Sequence, residues 1–211
     1  MTIKVMLADD HAVVRRGLRQ IIADSGDIEV IGEASDYGEL TALMRKAECD
    51  VLVLDISMPG KNGIEVLKIV HERLPKLPVL ILSMYPEDQY AMRALKAGAS
   101  GYVTKDSAPE KLVDAIRVLA KGKKYITPEL AATLAERLTA PEDLAPHQTL
   151  SDREYETLRL IASGKKLSDI AEALALSPKT VSVYRSRLLE KMNLKNNAEL
   201  THYALKHGLV E

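Results

Sequence analysis

Val51-Leu52-Val53-Leu54-Asp55-Ile56-Ser57-Met58-Pro59-Gly60 is the stretch that decides the fold. Four consecutive apolar residues make a run of strand length with no polar face. A strand buried on both sides, in the middle of a parallel sheet, requires such a run. It ends in a carboxylate and then in Met-Pro-Gly, which stops the strand and turns the chain. Asp55 is therefore expected at the carboxyl end of a central strand. In an open α/β sheet, ligands and chemistry collect at that edge.

Further strands are expected at Ile3–Ala8, Ile28–Ala34, Val79–Ser83 and Gly101–Thr104, with helices between them. Residues 12–23 carry Val14, Leu18, Ile21 and Ile22 at helical spacing, and residues 112–120 carry Leu112, Ile116 and Leu119. Alternating strands and helices imply a parallel sheet covered on both faces. Right-handed crossovers leave few topologies. One of them is the α/β flavodoxin-like order 2-1-3-4-5, with its switch point between strands 1 and 3.

That topology would deliver Asp9 and Asp10 from strand 1, Asp55 from strand 3, Ser83 from strand 4 and Lys105 from strand 5 to one rim. Three close carboxylates repel one another unless a cation neutralises them. Mg²⁺ prefers oxygen ligands at about 2.0–2.1 Å and takes one or two protein carboxylates with water and phosphate. Asp55 can then attack a phosphoryl donor and become an aspartyl phosphate, the metal screening the approach of anion to anion. Lys105 would pair with the phosphoryl oxygens, and Ser83 would donate a hydrogen bond to one of them. Singly, each residue has a plainer reading. Asp10 would be a helix N-cap, Ser83 a turn hydroxyl and Lys105 a solvated charge. Their joint placement at four strand ends favours the phosphoryl site.

The chain has 211 residues, 46% hydrophobic and 28% charged, enough for one large domain or two smaller ones. A single cysteine, Cys49, excludes an intramolecular disulfide and suits a reducing cytoplasm. The amino terminus runs straight into Asp9-Asp10, so no signal peptide is expected, and no run approaches membrane-spanning length. The net charge of -1 hides an asymmetry. From Leu150 onward there are 10 basic and 8 acidic side chains; before it, 19 and 22. Residues 178–195 hold five basic side chains against Glu190 alone. Two domains with different partners follow from this.

Between them, Lys121-Gly122-Lys123-Lys124 stops a helix. Thr127-Pro128 starts another, with Leu130, Leu134 and Leu138 along one side as a packing face for the parent domain. Residues 139–149 hold Pro141 and Pro146 and read as a linker. From Ser151 the pattern is helical. Ser151-Asp152-Arg153-Glu154 is a capping box. Leu158, Ile161 and Ala162 give that helix its core face, and Gly164 ends it. A short helix over 167–174 turns through Ala175-Leu176 into a helix capped by Ser177-Pro178. Val181, Leu188 and Met192 lie on its buried side; Lys179, Ser182, Val183, Ser186 and Arg187 lie on the other. Short helix, tight turn and basic capped helix make a helix-turn-helix, with the second helix in the major groove. Arg and Lys there can meet phosphates or guanine edges, and the two serines allow close approach. An ordinary bundle with a solvated basic face is the plainer alternative.

The front half resembles the receiver domain of two-component response regulators. The resemblance rests on Asp9-Asp10-His11, Asp55-x-x-Met58-Pro59-x-x-x-Gly63, Ser83 and Gly101-Tyr102-x-x-Lys105. It implies that Asp55 is the phosphoacceptor. Asp10, Asp55 and the backbone carbonyl of Ser57 would bind Mg²⁺, with Asp9 assisting through water. Ser83 and Lys105 would contact the phosphoryl group. Tyr102 would be an aromatic switch that turns inward as Ser83 moves toward the phosphate. A haloacid-dehalogenase-type phosphatase would need an acid where this chain has Ser57. A flavin-binding flavodoxin would need a phosphate-cradling loop where it has Asp-Asp-His.

The back half resembles the LuxR-type DNA-binding domain through Leu150-Ser151-x-Arg153-Glu154, Ile170-Ala171, Leu176-Ser177-x-Lys179-Thr180-Val181, Arg185-x-x-Leu188-x-x-Lys191-Met192 and Asn197-Ala198-Glu199-Leu200. Leu167-Ser168-Asp169 departs from the more usual Asn-Lys-Glu. Together the halves resemble a NarL/FixJ-type response regulator: receiver 1–122, linker with a short helix 123–149, and a four-helix DNA-binding domain 150–211. The resemblance implies a cytoplasmic transcription factor whose Asp55 is phosphorylated by a sensor histidine kinase. It would be an enzyme only in promoting its own phosphoryl transfer and hydrolysis. It implies double-stranded DNA and RNA polymerase as partners, and dimerisation through the helix at 197–207. DNA contacts would come from Lys179, Thr180, Ser182, Val183, Arg185, Ser186, Arg187 and Lys191. A dimer would read half-sites about 34–36 Å apart per helical turn. A phosphorylation-independent DNA binder and a protein-interaction module are the alternatives. The first would bind DNA equally well with Asp55→Ala; the second would show no salt-dependent DNA affinity. Met84, beside Ser83, is expected to slow water attack on the phosphate.

Overall fold

The structure, a computed structural model, describes residues 2–58, 61–139 and 145–210. The chain divides into two compact units, Met1–Thr139 and Ala140–Glu211. All five strands of the first unit form where the apolar runs place them: β1 (Ile3–Ala8), β2 (Ile28–Ala34), β3 (Val51–Asp55), β4 (Val79–Ser83) and β5 (Gly101–Thr104). They pair in parallel in the order β2-β1-β3-β4-β5. Every residue of β3 and β4 is buried, as unbroken apolar runs require.

Alternate strand residues serve opposite faces. Val5, Leu7, Val51, Val53, Leu80 and Leu82 form one core with helices α1 (Ala12–Asp24) and α5 (Ala108–Ala120), which contribute Leu18, Ile22, Leu112, Ile116 and Leu119. Helices α2 (Tyr37–Met44), α3 (Gly63–Arg73) and α4 (Glu87–Lys96) follow β2, β3 and β4. Each fully buried Leu or Ile contributes about 1.5–3 kcal/mol, so this core carries most of the unit's stability. The N-cap of α1 is His11, not Asp10, and it makes no side-chain capping bond. Asp10 is thereby left for the rim.

Gly63 explains how α3 starts so close to Asp55. Its N–H donates to the Ile56 carbonyl at 2.8 Å. A Cβ at this position would lie 2.6 Å from Ile56 Cα and closer still to the Asp55 carbonyl oxygen. Only a residue without a Cβ permits that approach.

The segment after α5 returns to the sheet. Tyr125 bridges to Gly101, and its N–H donates to the Ser100 carbonyl at 2.9 Å. Helix α6 (Pro128–Thr139) then packs against α4. Its cap Thr127 is buried, receives the Leu130 N–H at 3.2 Å and donates its hydroxyl to Glu87 Oε2 at 2.6 Å. Leu130 is buried and Leu134 half-buried, so the leucine side faces the parent unit; the side chain of Leu138 lies outside the described residues. Pro141 also lies outside them, and Pro146 opens a short 3₁₀ helix (Pro146–Thr149).

The second unit contains α7 (Asp152–Ala162), α8 (Leu167–Ala173), α9 (Pro178–Met192) and α10 (Asn197–Lys206). The Ser151–Glu154 capping box forms in both directions, and Ser177 caps α9 by accepting the Thr180 N–H. Ala175 takes the left-handed conformation, φ 51°, to close the α8–α9 turn. Leu158, Ile170, Val181, Leu188, Leu200 and Ala204 are fully buried and supply this unit's core. No helix among the described residues is long and apolar enough to cross a membrane.

Candidate functional site

The carboxyl ends of β1, β3, β4 and β5 bring Asp9, Asp55, Ser83 and Lys105 together at the rim. The clamp between them is the Lys105 ammonium. Its Nζ lies 2.9 Å from Asp55 Oδ2 and 2.7 Å from Asp9 Oδ2. The plainer reading of Lys105 as a solvated charge fails, because its side chain is only 7% exposed. Asp9 and Asp55 are buried, and Ser57 N–H donates to Asp55 Oδ1 at 3.1 Å.

Burial pushes the Asp55 carboxyl above its ordinary value; Lys105 pulls it down, and repulsion from Asp9 adds to the rise. Burial also works against the charged form of Lys105, but the attraction of Asp55 and Asp9 outweighs it and the ammonium is strengthened. The two directions are compatible: one cation is shared by two carboxylates that have lost their water.

The rim has the donor set of a cation site. Asp9, Asp10, His11 and Asp55 each offer one ligand atom, all within 4.8 Å of one another. Asp9 Oδ2 and Asp10 Oδ1 are buried and accept no well-directed hydrogen bond. Each instead has one nitrogen at 2.7 Å, that of Lys105 or His11. Such oxygens retain lone pairs for a hard cation. In the sequence His11 stands out only as the end of the Asp-Asp-His run. Its Nδ1 beside Asp10 shows why its position matters.

Ser83 is fully buried, and its Oγ accepts the Tyr85 N–H at 3.1 Å. Tyr102, expected to turn inward on activation, is already inward and 0% exposed. Its hydroxyl donates to the Tyr85 carbonyl at 2.7 Å. Ser83 and Tyr102 are thus both tied to the backbone of one residue, Tyr85, and Tyr85 stacks on Tyr90 with centroids 4.6 Å apart. Sequence reasoning missed Tyr85; its position two residues after Ser83 is the only signal. Met84 is 59% exposed next to this pocket.

In the second unit, α9 presents Lys179, Ser182, Val183, Ser186 and Arg187 to solvent. Thr180 is half-buried and shares a hydrogen bond with the Ser177 hydroxyl at 2.8 Å. Arg185 and Lys191 have partners within the unit. Arg185 Nε donates to Asn197 Oδ1 at 2.6 Å, joining α9 to α10. Lys191 Nζ donates to Glu154 Oε2 at 2.7 Å, tying α9 to the capping box of α7. On α10, Leu200 and Ala204 are in the core, whereas Leu205 is 51% exposed.

Comparison with known proteins agrees with this geometry. Residues 5–117 match the response regulator receiver domain, and residues 148–204 match the bacterial regulatory proteins of the luxR family. The chain is 38% identical to the response regulator UvrY of Escherichia coli over 98% of its length and 95% of that protein. It is 36% identical to the response regulator GacA of Pseudomonas aeruginosa over 99% of its length and 98% of that protein. Among solved structures, RcsB of Salmonella enterica serovar Typhimurium, bound to the promoter rprA in the presence of the phosphomimetic BeF₃⁻, is similar at 30% identity. That match has a TM-score of 0.66 and covers 96% of this chain and 98% of RcsB. With a five-stranded 2-1-3-4-5 sheet in one unit and a helix-turn-helix in the other, the chain belongs to the NarL/FixJ-type response regulators, transcription regulators that join a receiver to a LuxR-type DNA-binding domain.

Proposed function

We infer that phosphorylation of Asp55 by a sensor histidine kinase controls this regulator's dimerisation and its sequence-specific binding to DNA. The observation that carries the reading is the buried Asp9–Lys105–Asp55 clamp at the rim. Burial strips the Asp55 carboxylate of water and leaves it more basic. A carboxylate oxygen of Asp55 attacks the phosphorus, the bond from phosphorus to the kinase imidazole breaks, and the imidazole keeps the electron pair and takes a proton. Asp10, Asp55 and the Ser57 carbonyl would hold Mg²⁺, with Asp9 assisting. When bound, that ion supplies charge neutralisation for two meeting anions. Lys105 exchanges a carboxylate for a phosphoryl oxygen without leaving the pocket. Ser83 releases the Tyr85 N–H to donate its own hydroxyl to the phosphoryl group. Because Tyr102 is hydrogen-bonded to the same residue, movement of the Ser83–Tyr85 loop changes its support as well.

The exposed face of α9 enters the major groove. Lys179 and Arg187 contact phosphate or guanine there, while Ser182, Val183 and Ser186 line the approach. Arg185 and Lys191 hold the helix against α10 and α7, and Thr180 secures its start. Exposed Leu205 on α10 suits a dimer contact that the domain's own core leaves free. The protein acts in the cytoplasm, where kinase, promoter DNA and RNA polymerase meet it. Intact-mass measurement after incubation with acetyl phosphate tests the phosphorylation step. One added phosphoryl group, requiring both Mg²⁺ and Asp55 and absent in Asp55→Ala, is the expected result. No adduct from acetyl phosphate or from a kinase donor overturns it.

A further inference from the structure

Gly122, Lys123 and Lys124, from the run that reads as a helix stop, also line a cavity at the amino-terminal edge of the sheet, opposite Asp55. The cavity measures about 450 Å³. Its charged wall comes from three places in the chain: Lys76 before β4, Lys96 at the end of α4, and Lys123 with Lys124 after α5. His71 joins them from the last turn of α3, and Leu77 and Leu95 are apolar parts of the lining. Among the described residues no carboxylate lines it. All four lysines are exposed, and among the described residues none is ion-paired.

This segregation is unusual for its surroundings, because the chain before Leu150 carries more acids than bases. A plainer account is that cations complement helix ends, since α3, α4 and α5 all terminate nearby. Each helix end supplies about half a negative charge, so three of them offset roughly 1.5 of the four positive charges. The remaining excess, held in a concavity, attracts anions. Lysines reaching in from several directions can meet a ligand that bears charge on several oxygens.

We propose that this cavity binds a small polyphosphate anion, a class that spans inorganic tripolyphosphate and nucleoside polyphosphates. A DNA duplex is far wider than the cavity and would touch only its rim, whereas a compact ligand fills it and covers Leu77 and Leu95. The ligand would join the α3–β4 loop, the end of α4 and the segment that leads through Tyr125 to α6.

Isothermal titration of the full-length protein with sodium tripolyphosphate, and separately with ATP, tests this. EDTA is included so that neither probe reaches the carboxylate rim through a metal ion. Saturable one-to-one binding is expected, weakening as salt is raised. Lys96→Gln, Lys123→Gln and Lys124→Gln should each weaken it roughly twofold to fivefold, and Lys46→Gln, on α2's side of the surface, should not. Thermal melts confirm that the variants fold. Tighter binding of ATP than of tripolyphosphate assigns the site to nucleoside polyphosphates; equal or weaker binding assigns it to inorganic chains. Absence of saturable binding at millimolar probe, or equal binding by the triple lysine variant, overturns the proposal. So does loss of duplex-DNA affinity in the lysine variants without any polyphosphate binding.

Discussion

Replacing Gly63 by alanine puts a methyl group where the end of β3 already lies. The added Cβ would be 2.6 Å from Ile56 Cα, and its other near neighbours are the Asp55 carbonyl atoms. These are backbone atoms, so no rotamer change can make room. Overpacking of this kind costs about 1–3 kcal/mol. Pushing α3 away also lengthens the Gly63 N–H to Ile56 carbonyl bond, adding about 1 kcal/mol. The sum is about 2–4 kcal/mol, and at about 3–4 °C per kcal/mol for a unit of this size, a fall in Tm of roughly 6–16 °C. Gly17→Ala is the internal control. Gly17 lies inside α1 with nothing within 4 Å of its added Cβ, so alanine should stabilise the helix by roughly 0.5–1 kcal/mol. Differential scanning fluorimetry in EDTA reads both. Because the displaced strand end carries Asp55, phosphoryl incorporation in Gly63→Ala should also slow. A Tm equal to the wild type's, with an unchanged phosphorylation rate, refutes the claim that this approach requires glycine.

Four other expectations are testable. Asp55 has a raised folded-state pKa, so between its unfolded value and that raised value the native state binds the extra proton, and stability falls as pH rises through this window. In EDTA at neutral pH, Asp55→Asn should therefore raise Tm and remove this pH slope; a lowered Tm would contradict the reading. Thr127→Val removes the hydroxyl that joins Glu87 to the cap of α6, and the loss of about 1–3 kcal/mol should appear as faster amide exchange at Leu130 while β3 amides stay protected. Met84→Ala should shorten the lifetime of the aspartyl phosphate if the exposed methionine hinders water; an unchanged lifetime sinks that idea. Lys179→Ala or Arg187→Ala should weaken binding to cognate DNA and make the slope of log affinity against log salt shallower by about 1 for each phosphate that the variant leaves unneutralised. A slope equal to the wild type's would show that the residue meets no phosphate.

The elements of this protein follow from local sequence. Unbroken apolar runs mark strands buried on both faces, and each such run here becomes a strand of the sheet. Ser151 with Glu154 and Ser177 with Pro178 mark helix starts because capping is settled within three residues. The residues of the rim were legible for the same reason, since a side chain at the end of a parallel strand must lie at the carboxyl edge whatever surrounds it. Their partners were not legible. Lys105 reaches Asp55 across 50 residues of sequence. Tyr102 finds the Tyr85 carbonyl 17 residues away, Thr127 finds Glu87 across 40, and Lys191 finds Glu154 across 37. No spacing rule reaches that far, because these pairs exist only once separate elements have packed. Local sequence is enough to place these groups at the edge of the sheet and the basic face on one helix. Packing between elements is what shares Lys105 between two carboxylates, ties Ser83 to Tyr102 through Tyr85, and braces α9 through Arg185 and Lys191. Those outcomes depend on distances between side chains, and the packing of the core sets those distances.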